Sequence, residues 1–232
     1  MNLESASAEE ILAWALEGHE RPALVASFQI ESCVLIDMAS RIRPGLTVLT
    51  LDTGRLPLET LQMFETVALR YPVQMRVLRP DPAAVLEMAS THGPDLFREA
   101  VRLRRLCCEV RKGAPLRAAL REHDAWITGL RRAQSATRAA VPVAAPDRLH
   151  GGIMKVAPLA RWTGAQVWEY ARRRDVPVHP LYGRGFTSIG CAPCTRPTSP
   201  GEAQRAGRWW WEPDAVKECG LHWSEGPAAA PA

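Results

Sequence analysis

The sequence predicts an α/β fold with a doubly wound parallel sheet, and two observations carry this prediction. Four short apolar runs of β type alternate with segments of helical period, which is typical of a parallel sheet with helical crossovers. The chain has 232 residues and is 47% hydrophobic, enough to bury one sizeable core but too little for two full domains. We therefore expect one α/β domain over residues 1–211. Residues 212–232 are expected to form a flexible C-terminal segment, since residues 226–232 (GPAAAPA) cannot bury a core.

The predicted strands and helices follow one another in regular order. The strands cover residues 23–28, 47–51, 73–78 and 125–130, and the helices cover residues 31–40, 57–70 and 82–91. The last two helices open with Pro57 and Pro82, where the missing N–H group costs little because first-turn N–H groups have no partner within the helix. In such a sheet, ligands bind beyond the carboxyl ends of the strands.

Three loops follow the predicted strands, at residues 27–32, 51–55 and 128–132. They are rich in hydroxyl, glycine and arginine residues, which suit the binding of anions. The chain contains no Gly-x-Gly-x-x-Gly and no Gly-Lys-Ser/Thr sequence, so neither a dinucleotide fingerprint nor a Walker-type phosphate loop is present. Any nucleotide site is therefore of another kind.

Four of the six cysteines form two groups, an adjacent pair at Cys107 and Cys108 and a Cys-x-x-Cys at Cys191 and Cys194. A [4Fe-4S] cluster is held by four thiolates, one on each iron. Zinc accepts the same four sulfurs, but zinc ligands usually come in pairs spaced two to four residues apart. Adjacent cysteines reach two irons of one cluster more easily than one zinc ion, so the pattern favours the cluster. Cys33 has no motif around it and is expected in the core.

Charge and hydropathy limit the remaining function classes. The net charge of +4 is too small to indicate bulk nucleic-acid binding, although residues 98–132 hold ten basic and four acidic side chains. The longest apolar runs are far shorter than the ~20 residues of a membrane span. Glu4, Glu9 and Glu10 stand where a secretory signal would be basic. We expect a cytoplasmic protein in a reducing compartment, without disulfides, nucleic acid or a membrane.

Six segments, in order along the chain, resemble the assimilatory adenylyl-sulfate reductases of the phosphoadenylyl-sulfate reductase family. They are residues 51–55 (LDTGR), 107–112 (CCEVRK), 126–129 (WITG), 190–194 (GCAPC), 205–212 (RAGRWWWE) and 217–222 (KECGLH). The resemblance implies an adenine nucleotide α-hydrolase-like fold and one [4Fe-4S] cluster on Cys107, Cys108, Cys191 and Cys194. It also implies a catalytic Cys219 and a reaction that makes sulfite and AMP for cysteine biosynthesis.

The chemistry implied for Cys219 is consistent with the residues around it. A sulfate joined to AMP as a mixed anhydride has an electrophilic sulfur, which a thiolate attacks to leave an S-sulfocysteine. Thioredoxin or a similar dithiol then releases sulfite, because no second cysteine lies nearby in the sequence. Lys217 and His222 flank Cys219 and favour its thiolate form. Lys112 lies four residues beyond Cys108 and is a candidate link between cluster and substrate.

The remaining candidate residues bind the substrate. Arg205 and Arg208 are three residues apart and would share one face of a helix, from which they could bind a phosphate or sulfate group. The resemblance also implies contacts with the nucleotide or sulfate at Ser27, Asp52, Thr53, Gly54 and Gly129 in the predicted loops, and at Arg138 beyond the third loop.

Alternative functions remain open from the sequence. The four cluster cysteines favour adenylyl sulfate over its 3′-phosphorylated form, but a phosphoadenylyl-sulfate reductase stays an alternative. An ATP-using adenylating or thiolation enzyme would need a glycine-rich loop after the first strand, where this chain has Phe28, Gln29 and Ile30. A cysteine-ligated nucleic-acid-binding module would use the basic residues at 98–132. The oligomeric state is open, and a homo-oligomer is compatible with the sequence.

Overall fold

The computed structural model describes residues 2–213, 217–218 and 221. In this part of the chain, six strands form one sheet, and they cover β1 Pro22–Ala26, β2 Thr47–Leu51, β3 Gln74–Leu78, β4 Ala125–Thr128, β5 Ala144–Asp147 and β6 Ile153–Val156. Their order is β3-β2-β1-β4-β6-β5. Neighbouring strands are parallel except β5, which pairs with β6 in the antiparallel sense.

Seven α-helices accompany these strands in the described residues. They are α1 Ala8–Glu17, α2 Ile30–Ile42, α3 Leu58–Arg70, α4 Pro82–His92, α5 Val101–Cys108, α6 Ala114–Leu120 and α7 Gly164–Arg173. A π-helical turn, Glu109–Gly113, joins α5 to α6. The four strands and three helices predicted from the sequence are confirmed, and with them the α/β fold. The predicted mobility of residues 212–232 concerns a segment that lies largely outside the described residues.

Successive side chains of a strand point to opposite faces of the sheet, and both faces carry apolar side chains here. Helices cover both faces and bury these side chains. Leu24 and Ile127 face the core formed with α1, α2, α3 and α7. Their neighbours Ala23 and Trp126 face α6 on the other side. After β3 the chain crosses to β4 on the far side of β1, so the loops after β1 and β4 diverge. Doubly wound sheets bind ligands in the crevice that opens at this point.

A buried histidine joins α3 to the segment that follows α7. His179 is fully buried, its Nδ1 accepts a hydrogen bond from the Leu181 N–H at 3.2 Å, and its Nε2 lies 2.9 Å from Thr60 Oγ1. Burial lowers the pKa of His179 to about 4, although Glu59 acts in the opposite direction. The neutral ring, with Nε2 as donor, satisfies both contacts.

We expect the folded state to lose stability as the pH falls from about 6.5 towards 4. In this window the unfolded state binds a proton at His179 and the folded state does not, so protonation favours unfolding. Urea unfolding at several pH values gives the free energy of unfolding as a function of pH. Between pH 6.5 and 4, this free energy should fall less steeply for His179→Gln than for the original protein. An equal slope would show that His179 does not set the acid sensitivity.

Among the described residues, no helix has both the length and the apolar character needed to cross a membrane.

Candidate active site

A cavity opens at the carboxyl ends of β1, β2 and β4, where the doubly wound sheet places its ligand. Seven residues that the sequence singled out line it together, namely Ser27, Thr53, Lys112, Gly129, Arg138, Arg205 and Arg208. Four of these are cationic and come from three distant parts of the chain. The cavity is therefore suited to a ligand with several negative charges.

Two predicted substrate contacts, Asp52 and Gly54, do not line this cavity in the structure. Asp52 Oδ1 accepts a hydrogen bond from the Gly54 N–H at 3.0 Å, and its Oδ2 lies 3.2 Å from Arg79 Nε. Gly54 has a φ of +70°, which other residues rarely adopt. Both residues form the turn that carries Thr53, and direct contact with a ligand stays a prediction for them.

A buried ion pair, which the sequence did not reveal, forms the wall of the cavity near Gly129. Oε1 of Glu31 accepts hydrogen bonds from Arg131 Nε at 3.0 Å, from Arg131 Nη2 at 2.8 Å and from Gln134 Nε2 at 3.1 Å. A Cβ atom at Gly129 would lie 3.0 Å from Cβ of Glu31, so glycine allows the two loops to approach. Such a pair needs several hydrogen bonds to offset the cost of removing both charges from water.

The described part of the C-terminal segment reaches the same cavity. The Glu218 carboxylate forms a bidentate pair with Arg138, with Nε to Oε2 at 2.8 Å and Nη2 to Oε1 at 2.6 Å. Arg205 Nη2 donates to the Lys217 carbonyl at 3.1 Å, and Leu221 lines the cavity. Cys219 and His222, the predicted nucleophile and its neighbour, lie outside the described residues.

Four cysteines line a second, smaller cavity beside the first. Cys107, Cys108, Cys191 and Cys194 are all buried, and Thr53 Oγ1 lies 3.2 Å from Cys191 Sγ. Burial raises the pKa of the Cys194 thiol to about 11, with Cys191 adding to the rise and Lys112 opposing it. Five cationic side chains also line this cavity, namely Arg55, Arg104, Arg111, Lys112 and Arg208.

This donor set fits an anionic metal cluster. The four predicted cysteines come from two distant segments and meet at one place, and the cations around them would balance the negative charge of four thiolates. Among the described residues, no three His, Cys, Asp or Glu side chains converge closely enough for a single metal ion.

Two side chains, Lys112 and Arg208, line both cavities. Lys112 lies in the π-helical turn, whose wider spacing brings it closer to the side of the helix that carries Cys107. Arg208 Nη1 donates to the Ile189 carbonyl at 3.2 Å, and its guanidinium stacks on the Trp209 ring at 4.5 Å. These contacts hold the Arg208 guanidinium between the cysteines and the first cavity.

Gly190 gives Arg208 the space that it occupies. A Cβ atom at position 190 would lie 2.6 Å from Arg208 Cζ, which is closer than atoms can approach. We therefore expect Gly190→Ala to displace the guanidinium and to weaken the binding of an anionic ligand, with AMP as the probe, by about tenfold or more, the cost of losing a charge-assisted hydrogen bond. Isothermal titration calorimetry would measure the change.

Gly183→Ala is the matched control for this substitution, because a Cβ atom there meets nothing within 4 Å and Gly183 does not line the cavity. Equal AMP affinities of the Gly190→Ala and Gly183→Ala proteins would contradict the role given to Arg208.

The sheet order defines a doubly wound class of α/β protein, with a cation-lined crevice at the switch point of its sheet. The fold matches a crystal structure of FMN adenylyltransferase from Candida glabrata, with a TM-score of 0.61, 14% identity and coverage of 91% of this chain and 74% of that one. Residues 21–197 match the phosphoadenosine phosphosulfate reductase domain, and the chain belongs to that family.

Two further proteins are similar to the chain over most of its length. It is 43% identical over 231 residues to the adenosine 5′-phosphosulfate reductase of Allochromatium vinosum. The aligned residues cover 98% of this chain and 90% of that relative. The crystal structure of a phosphoadenylyl-sulfate reductase from Candida auris matches with a TM-score of 0.70 and 27% identity, over 83% of this chain and 91% of that one. The resemblance found in the sequence is confirmed.

Proposed function

We propose that the protein reduces adenylyl sulfate to sulfite and AMP. The observation that carries this proposal is the convergence of Lys112, Arg138, Arg205 and Arg208 on one cavity at the switch point of the sheet, beside four buried cysteines. Adenylyl sulfate carries a phosphate and a sulfate group, and guanidinium groups bind both through paired hydrogen bonds. The 43% identity to an adenosine 5′-phosphosulfate reductase supports the same substrate.

In this proposal, the Cys219 thiolate attacks the sulfur atom of adenylyl sulfate. A sulfur–sulfur bond forms, the bond from sulfur to the bridging oxygen breaks, and AMP leaves with that electron pair. Lys112, Arg205 and Arg208 neutralise the charge that develops on the leaving phosphate and the sulfate oxygens. Lys217 and His222 favour the thiolate form of Cys219.

A dithiol donor completes the reaction, and we propose thioredoxin or a similar protein. One thiolate of the donor attacks Cys219, which releases sulfite and leaves a mixed disulfide. The second donor thiol then displaces Cys219, so the donor loses two electrons and Cys219 returns to its thiol form. The reaction needs a reducing compartment, and we infer a cytoplasmic location for that reason.

One [4Fe-4S] cluster would be held in the second cavity by Cys107, Cys108, Cys191 and Cys194. When bound, this group supplies a compact anion that orders the two cysteine segments and sets the electrostatic potential beside the substrate. Lys112 would balance part of that charge while its ammonium group reaches the sulfate, since it lines both cavities. The dithiol donor provides all the reducing electrons, so electron transfer by the cluster is not required.

We propose residues 1–211 as the nucleotide-binding domain and residues 212–232 as the segment that carries Cys219. The first cavity, where the nucleotide would bind, is lined by Ser27, Thr53 and Gly129. The turn that carries Thr53 is formed by Asp52 and Gly54. Phe28, Gln29 and Ile30 follow β1 where ATP-using relatives of the fold would need glycine-rich sequence for pyrophosphate. This loop argues against adenylating chemistry.

Sulfite release by the anaerobically purified protein tests the proposal. With reduced thioredoxin, we expect sulfite and AMP in equal amounts from adenylyl sulfate, and a lower kcat/KM for the 3′-phosphorylated substrate. A preference for the 3′-phosphorylated substrate would move the assignment to phosphoadenylyl-sulfate reduction. Sulfite from neither substrate, with pyrophosphate released from ATP, would contradict the proposal and favour an adenylating enzyme.

A further inference from the structure

We propose that Glu218 is a positioning residue whose carboxylate occupies the oxoanion site of the substrate-free protein and is displaced when the substrate binds. This inference rests on the proposed function, because it takes the arginine-lined cavity as the substrate site. It assigns a role to the residue that immediately precedes the proposed nucleophile Cys219.

The contacts of Glu218 are those that an oxoanion would make. Its two carboxylate oxygens accept hydrogen bonds from Nε and Nη2 of Arg138 at 2.8 and 2.6 Å, and Thr137 Oγ1 lies 3.2 Å from Oε2. Nη2 of Arg205 lies 3.4 Å from Oε1. The Glu218 side chain is 7% exposed, so these contacts form away from bulk water. Two oxygens of a phosphate or sulfate group would fit the same guanidinium edge.

The backbone of the segment is held by one arginine from each of the two cavities. The Glu218 carbonyl accepts a hydrogen bond from Arg104 Nη1 at 2.9 Å, and the Lys217 carbonyl accepts one from Arg205 Nη2 at 3.1 Å. Arg205 therefore contacts both the side chain and the backbone of residues 217–218. Two of the three arginines that contact the segment, Arg138 and Arg205, also line the cavity proposed for the substrate.

One guanidinium edge cannot bind a carboxylate and a phosphate or sulfate group at the same time. The two anions would also repel each other inside a site with little water. A substrate that binds Arg138 through this edge must therefore replace Glu218. Because Glu218 is bonded directly to Cys219, its release from Arg138 couples the placement of the nucleophile to the arrival of the substrate.

Calorimetric titration of the full chain with AMP tests this inference. Glu218→Gln keeps the shape of the side chain and removes its charge, so the competing anion is lost. The apparent affinity for AMP falls as the population of the state with Glu218 paired to Arg138 rises. We therefore expect AMP to bind about five- to tenfold more tightly to this variant, in which that competition is lost. KM for adenylyl sulfate should also fall, since the substrate would meet the same loss of competition.

Glu202→Gln is the matched control. Glu202 forms a bidentate pair with Arg196, at 2.9 and 2.7 Å, and lies outside the cavity. The same chemical change there should leave the AMP affinity as it is in the original protein. If Glu218→Gln folds poorly, Glu218→Ala removes the same charge and serves as the second variant.

The outcomes separate this inference from the proposed function. An AMP affinity that is unchanged or weaker in both Glu218 variants, with AMP bound by the original protein, would overturn the displacement and leave the proposed function standing. Failure of the original protein to bind either AMP or adenylyl sulfate would overturn the proposed function, and the inference with it.

Discussion

Replacement of Cys219 by serine is expected to abolish sulfite release, with a loss of activity of at least about 10³-fold, since a hydroxyl group at its ordinary pKa is a weak nucleophile. No other cysteine can take over the reaction. Cys107, Cys108, Cys191 and Cys194 line the second cavity, and Cys33 is fully buried. AMP should still bind to the variant, because the arginines of the cavity remain. Sulfite assays with reduced thioredoxin and calorimetry with AMP would measure the two effects.

Cys33→Ala is the control for this substitution. Cys33 is a residue of α2 that faces the main core, its Sγ lies 3.6 Å from the Phe28 carbonyl oxygen, and burial raises the pKa of its thiol. We expect the variant to keep its rate of sulfite release. A Cys219→Ser protein that retains activity within tenfold of the original would contradict the covalent mechanism.

The second large effect is expected from Cys194→Ser, which removes one of the four thiolates proposed to bind the cluster. A hydroxyl group is a poor ligand for iron, so the iron content should fall together with the visible absorbance. Lys112 follows the first cysteine pair, and Arg208 forms a backbone bridge with Thr195, the residue after Cys194; both side chains line the first cavity. Disorder around them should lower the activity on the order of a hundredfold or more, in keeping with the coupling of metal binding to local structure.

Iron analysis and thermal unfolding of anaerobically purified protein would test this expectation. Cys33→Ala again provides the control, since it removes a buried thiol without removing a proposed ligand, and it should retain four irons per chain if the cluster is of the [4Fe-4S] type. A Cys194→Ser protein with undiminished iron and activity would show that Cys194 is not a ligand.

The central strands β1, β2 and β4 could be predicted because they are short, mostly apolar runs, as buried parallel strands are. The edge strand β5 and its neighbour β6 were missed. Each has four residues, and β5 contains Pro146, which is uncommon in strands except at an edge. Helices α1 and α7 were not predicted either, although Ser7 and Glu10 form a capping box at the start of α1.

The candidate site was predicted in its composition but not in its internal contacts. The adjacent cysteines and the Cys-x-x-Cys can be recognised from the sequence alone, and the structure brings all four cysteines to one cavity. The Glu218 pair with Arg138 joins residues 80 positions apart, and no local pattern predicts such a contact. The Asp52 carboxylate bonds to the Gly54 N–H of its own turn and to Arg79, contacts that the sequence analysis did not include, and its contact with a ligand stays a prediction.

The measurement that tests the central claim most directly is the intact mass of the anaerobically purified protein after incubation with adenylyl sulfate and no dithiol, followed by peptide mapping. We predict a gain of one SO₃ group on Cys219, which reduced thioredoxin removes with release of sulfite. An unmodified Cys219 in protein that retains its iron and binds AMP would contradict the S-sulfocysteine mechanism.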